Sequence, residues 1–294
     1  MGYWTALCQN APVAQLTITD HSRAAAGMTY VYPVVSRRSR GVSVGVNLNP
    51  NNACNWRCIY CQVPDLKRGG PPPIALDQLE AELRRMLGEI VHGDWLARHA
   101  PEGMRRLNDV ALSGNGEPTT AVEFPAVVES IGRVLADFDL LDRVKLVLIT
   151  NGSQADKPLV RAGLRAMATM AGEVWFKLDR ATADGLKIIN GTRTDPERQY
   201  RRLKACAHLC PTWVQTCLFA LDGEPPAEEE MRAYLELLAR ARAEGVPLKG
   251  VLLYGLARPS LQPESARLSR LSEHWMQTLG QRIEDLGLPV GVYA

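Results

Sequence analysis

Between residues 42 and 260 the chain switches repeatedly between two hydrophobic periods. Val42-Ser43-Val44-Gly45-Val46-Asn47-Leu48 alternates apolar with small or polar positions, which is the period of a strand. Leu76, Leu79, Leu83, Met86, Leu87 and Ile90 then recur at three- and four-residue spacing, the period of a helix. The same switch recurs down the chain. Strands are predicted at 109–113, 144–150, 173–179, 212–219 and 248–254, and helices through Val127 to Leu135, at 159–167, at 196–209 and at 228–244. Six strands alternating with helices imply parallel pairing through right-handed crossovers.

That pattern permits a barrel, a partial barrel or an open doubly wound sheet. In each, chemistry gathers at the C-terminal ends of the strands. Those ends carry Asn49 to Asn52, Gly114 to Thr119, Asn151 to Ser153, Asp179, Asp222 to Glu224 and Tyr254 to Arg258, so polar and glycine-rich residues concentrate there. Outside the rhythm, residues 16–19 and 29–32 read as short strands around a turn or short helix at 21–27, and 264–287 reads as a C-terminal helix. No low-complexity linker divides the chain. The expectation is an N-terminal extension over 1–41, a core domain over 42–262, and a C-terminal helix and tail over 263–294.

Composition narrows the class. Of 294 residues, 46% are hydrophobic and 22% charged, the profile of a globular protein with a real core, and a net charge of +2 carries no global nucleic-acid signal. The Arg37, Arg38 and Arg40 run is either an anion site or a solvated basic loop. The N-terminal residues do not read as a signal peptide, and no apolar run approaches the ~18 residues of a membrane span. A cytoplasmic setting is expected, in which clustered cysteines favour metal ligation over disulfides.

Three of the seven cysteines, Cys54, Cys58 and Cys61, stand as C-x3-C-x2-C straight after the first strand of the rhythm. Thiolates so spaced can converge on one soft metal centre. A closed zinc site or an ordinary iron–sulfur cluster asks for four ligands, and no fourth cysteine follows closely. Three ligands suggest a cluster with one iron left open. Cys206, Cys210 and Cys217 form a second group, which is either an incomplete second site or simply buried.

The cysteine motif, with Tyr60 before the third thiol, resembles the signature of the radical S-adenosylmethionine (radical SAM) superfamily. Gly114-Asn115-Gly116-Glu117-Pro118-Thr119 resembles the segment with which that family holds the methionine amino group of its cofactor. The resemblance spans about residues 42 to 260. It implies a partial (β/α)6 TIM-type barrel, a [4Fe–4S] cluster on Cys54, Cys58 and Cys61, and S-adenosylmethionine on the fourth iron. One electron passed to the sulfonium would give a 5′-deoxyadenosyl radical that takes hydrogen from a substrate. Glu117 would hold the amino group, with Gly114 and Gly116 allowing close backbone approach. Tyr60, with Trp56 and Ile59, would shield the cluster or pack on the adenine, and Trp56 reads equally as core. Asn151 and Ser153 would contact ribose or carboxylate, or simply shape a turn. Gln215 and Asp222 are candidates of the same kind. An electron donor such as flavodoxin or ferredoxin is the implied partner.

Lys177 and Asp179 share one face of their strand. Lys177 would serve as an amine nucleophile or an anion clamp with Asp179 as its partner, or the two form a structural ion pair. Lys177-Leu178-Asp179 resembles the subgroup related to the wyosine-forming tRNA enzymes, in which a lysine forms a Schiff base. That subgroup implies a tRNA or other RNA base as substrate. An activase, or an enzyme modifying a small molecule or peptide, is the alternative. Arg84, Arg85, Arg105, Arg106, Arg198, Arg201 and Arg202 would form a basic face or solvated helix surfaces. From another class, the same cysteines would suit a non-catalytic zinc or iron–sulfur regulatory protein.

Overall fold

A computed structural model describes residues 16–17, 27–36 and 41–294. The expected turn at 21–27, most of the strand at 16–19, Cys8 and the arginine run lie wholly or largely outside these residues.

Eight strands form one sheet in chain order: β1 (Val31–Ser36), β2 (Gly41–Val46), β3 (Leu107–Leu112), β4 (Lys145–Thr150), β5 (Gly172–Lys177), β6 (Thr212–Cys217), β7 (Leu248–Tyr254) and β8 (Val290–Tyr293). β1 runs antiparallel to β2 and every other neighbouring pair is parallel. Sequence neighbours are therefore spatial neighbours, and β1 and β8 are the two unjoined edges of a curled sheet. This is the partial barrel expected from the motifs.

Helices fill the crossovers: α1 (Leu76–Val91), a short α2 (Trp95–His99), α3 (Phe124–Asp137), α4 (Pro158–Ala168), α5 (Ala183–Asn190), α6 (Pro196–Ala207), α7 (Glu228–Ala243) and α8 (Glu273–Glu284). The apolar stripe read from sequence on α1 is the stripe it buries: Leu79, Leu83, Met86, Leu87 and Ile90. Val127, Val128, Ile131, Val134 and Leu135 do the same on α3. Each such side chain contributes about 1.5–3 kcal/mol on leaving water. They meet Val42, Val44, Val46, Val110, Leu112, Leu146 and Leu148 from the outer face of the sheet. Period 2 then turns Ser43, Asp109, Ile149, Trp175, Lys177 and Gln215 to the concave face.

Two edges differ from the sequence reading. Residues 31–36 form a sheet strand longer than the fragment at 29–32, and Tyr32 packs its ring over Gly45 while its hydroxyl meets Ser113 Oγ at 2.9 Å. At the other end α8 starts at Glu273, capped by Ser272, rather than near 264. The residues after it pair with β7 as a parallel strand. Four of the seven arginines read as a basic face or solvated helix surfaces are ion-paired, and one of them, Arg202, is buried. Arg84 pairs with Glu80 and Asp137, Arg85 with Glu89, and Arg198 and Arg202 with Asp156. Among the described residues no helix is long and apolar enough to cross a membrane.

Candidate active site

The strand ends converge on one cavity of about 290 Å³ inside the curled sheet. Cys54, Cys58, Tyr60, Cys61, Gly114, Gly116, Glu117, Asn151 and Lys177 all line it. Nine of the residues picked from sequence thus come together, and Trp56 and Gln215 line the same cavity. Ser153 and Asp179 stand just behind the wall. Ser153 lines an adjoining polar hollow with Asn55 and Arg198, and its hydroxyl accepts from Asn55 Nδ2 at 2.6 Å. Asp179 is fully buried beneath the cysteine loop.

The cysteine loop is clamped from both sides. Arg57 and Ile59 donate their backbone N–H groups to the carbonyls of Asn190 and Ile189 at the end of α5. Cys61 O accepts from Ser260 Oγ at 3.1 Å and from Gln262 Nε2 at 3.3 Å. The Cys54 sulfur accepts from Trp56 N at 3.4 Å and the Cys58 sulfur from Asn190 Nδ2 at 3.3 Å. Burial pushes the Cys54 thiol up to about 11 and the Cys58 thiol to about 12. Among the described residues, no three His, Cys, Asp or Glu side chains are grouped as ligands of a single metal ion. Trp56 is buried and yet lines both the cavity and the hollow, so core and site are one for this residue.

The glycines of Gly114-Asn115-Gly116 also serve the packing of the loop itself. A Cβ on Gly116 would stand 2.5 Å from Asn49 Cγ and closer still to Ala53 O. At Gly114 φ is +145°, and a Cβ would lie 2.9 Å from Asn47 Cα. The missing side chains let this loop press on the segment leading into the cysteines. Asparagines knot the two together: Asn47 Oδ1 accepts from Asn49 N and Asn115 N, each at 3.0 Å, and Asn115 Nδ2 donates to Asn52 Oδ1 at 2.6 Å.

Glu117 is buried, and burial raises its pKa against the pull of its hydrogen bonds. One carboxylate oxygen accepts from Thr119 N, Thr119 Oγ1 and Thr150 Oγ1; the other accepts from Asn151 N at 2.6 Å. Glu117 therefore ties the ends of β3 and β4, and its less crowded oxygen retains acceptor capacity at the cavity.

Lys177 closes the far wall. Its ammonium bonds Tyr254 Oη at 3.1 Å, lies 4.8 Å from the Tyr60 ring centroid, and forms no ion pair among the described residues. Burial opposes its charge, while Tyr254, Asp179, Cys58 and Cys217 favour it, and the balance holds its pKa well above the lysine range. Beside it in register, Gln215 lines the same cavity, and its Oε1 is buried with no hydrogen-bond partner. The shared-face argument fails for Asp179, because β5 ends at Lys177. Beyond that end the carboxylate turns inward to accept from Tyr60 Oη, Asn190 Nδ2 at 2.6 Å and Cys217 N at 2.8 Å. Asn190 had no sequence signal beyond its place before Gly191.

The other candidates sit elsewhere. Asp222 is exposed and pairs with Arg267. Cys206 and Cys210 lie in the main core, and Cys217 lies in a separate small cluster with Tyr60 and Phe219. Burial pushes the Cys206 and Cys210 thiols up to about 12.

No family model matches the chain. It is 25% identical over 161 residues to the GTPase Obg of Brachyspira hyodysenteriae, covering 54% of this chain and 20% of that protein. It is 28% identical over 162 residues to the UPF0026 protein slr1464 of Synechocystis sp., covering 54% of this chain and 52% of that protein. The matches thus span a fifth and about half of these relatives' lengths. Among solved structures, a radical SAM methyltransferase from Sphaerobacter thermophilus superposes with a TM-score of 0.56 at 14% identity, covering 89% of this chain and 68% of that one. TYW1 with a lysine–pyruvate adduct bound superposes with a TM-score of 0.54 at 15% identity, covering 84% and 74%. The chain has the partial-barrel fold of radical SAM enzymes.

Proposed function

We propose that the chain is a radical SAM enzyme. The observation that carries this reading is the shared cavity: Cys54, Cys58 and Cys61 open onto the same space as Tyr60, Glu117, Asn151 and Lys177. The donor set fits an iron–sulfur cluster, being three thiols of one loop with N–H donors already aimed at two of the sulfurs. A bound [4Fe–4S] cluster with S-adenosylmethionine would supply the electron that cleaves the sulfonium to a 5′-deoxyadenosyl radical. The chain's own residues do the rest. Glu117 offers an acceptor to an amino group, Tyr60 and Trp56 shield the centre from water, and Lys177 fixes an anionic group. Flavodoxin or ferredoxin is the proposed class of electron donor.

Two substrate readings remain. The subgroup resemblance favours a base in RNA. The half-buried Lys177 ammonium, with no ion-pair partner among the described residues, favours a small molecule carrying a carboxylate or other anion. The structure of TYW1 carries a lysine–pyruvate adduct; here Lys177 bonds Tyr254 Oη at 3.1 Å and pairs with no carboxylate among the described residues, which suits a clamp. RNA binding that weakens steeply with salt would support the first reading. Turnover of a small anion with no RNA affinity would support the second. Anaerobic reconstitution tests the enzyme class itself: about four irons and S-adenosylmethionine cleavage on reduction are expected. One zinc and no iron would favour a regulatory metal protein instead.

A further inference from the structure

We propose that Asn190 is a positioning residue for the Cys58 thiolate, holding it through an N–H···S hydrogen bond and so setting how readily the centre bound there accepts an electron. This rests on reading Cys54, Cys58 and Cys61 as cluster ligands.

Asn190 is the last residue of α5 and is fully buried. Its backbone carbonyl receives Arg57 N at 3.1 Å, and Ile189 O receives Ile59 N at 2.9 Å, so the helix end grips the cysteine loop on both sides of Cys58. Gly191 permits that approach. Its φ is +58°, and a Cβ there would stand 2.6 Å from Arg57 O.

The side chain has one productive orientation. Nδ2 lies 2.6 Å from Asp179 Oδ2 and 3.3 Å from Cys58 Sγ. Turning the amide over would set Oδ1 against the buried carboxylate, so Asp179 fixes which end faces the sulfur. One amide hydrogen goes to Asp179 and the other to Cys58. Asp179 is fixed in turn by Tyr60 Oη and Cys217 N. The arrangement carries a cost, because Asn190 Oδ1 is buried with no partner. An apolar residue would avoid that cost and would lose the donor.

A donor aimed at a ligating sulfur stabilises the more negative, reduced state more than the oxidised one. Removing it should make the centre harder to reduce. The test uses the full chain, reconstituted anaerobically, as wild type and as Asn190→Ala, with Asn190→Leu as the volume-filling variant should the smaller side chain unsettle the core. Iron and sulfide content, thermal unfolding, and a redox titration without S-adenosylmethionine are read for each. The expected result is wild-type iron content and about a tenfold smaller equilibrium constant for one-electron reduction, a downward shift of about 59 mV. Loss of iron from both variants at unchanged melting temperature would also support the assignment, since Cys58 would then depend on Asn190 for its place. Equal potentials in variant and wild type would overturn the assignment alone. A wild-type chain that takes up no cluster would overturn the cluster reading and this inference with it.

Discussion

Gly116→Ala tests whether the glycines of the strand-end loop exist to seat that loop on the cysteine segment. The added Cβ would lie 2.5 Å from Asn49 Cγ and nearer to Ala53 O, where ordinary contact begins at 3.4 Å. The loops must part by roughly 1 Å to restore carbon contact distances. Neither neighbour yields easily. Ala53 O is backbone, and Asn49 is held by its bonds to Ala53 O and Asn47. Overpacking of this kind costs about 1–3 kcal/mol, against about 0.4–1 kcal/mol gained from a stiffer unfolded chain. The net expectation is a loss of up to about 2.6 kcal/mol. Gly70→Ala is the internal control, since nothing lies within 4 Å of its Cβ position. It should be neutral or slightly stabilising. Urea unfolding of the two variants reads the difference directly. Equal stability of Gly116→Ala and Gly70→Ala would refute the reasoning, and weaker S-adenosylmethionine binding by Gly116→Ala alone would tie the fit to the site.

Replacing Cys54, Cys58 or Cys61 with Ser should each remove most reconstituted iron, whereas Cys206→Ala and Cys210→Ala should keep it; iron analysis that failed to separate the two groups would contradict their placement. Lys177→Met should weaken binding of the anionic ligand at least tenfold by calorimetry, with Lys177→Arg retaining more, while an unchanged affinity would remove Lys177 from the clamp. Glu244 is held down to about 2 by Arg240, Lys204 and Tyr200. Its folded value lies below the unfolded one, so its stabilising contribution is present above about pH 4.5 and disappears as pH falls through about 2. The melting temperature of wild type should therefore exceed that of Glu244→Gln at pH 6 and converge with it near pH 2. A constant gap across that range would show that charge is not the cause.

Legibility followed the strength of the local signal. The six parallel strands and the stripes on α1 and α3 were readable because burial on one face imposes a period on the residues themselves. Val290–Tyr293 was not, because four half-buried residues with a glycine carry no period of their own and become a strand only by pairing with β7. Asp179 misled for a related reason. Alternation places a side chain only while the strand lasts, and three buried donors decide where it points after Lys177. The cysteines stood out by spacing and Glu117 by the family resemblance, but the four donors that hold Glu117 come from two strand ends that are distant in sequence. Asn190 matters through the hydrogen bonds its amide makes to Cys58 and Asp179, and no residue pattern announces it.

The most direct test of the central claim is product analysis of the anaerobically reconstituted chain, reduced in the presence of S-adenosylmethionine. The account predicts 5′-deoxyadenosine from wild type and none from Cys58→Ser. Iron-loaded wild type that leaves S-adenosylmethionine intact, or a chain that binds only zinc, would contradict it.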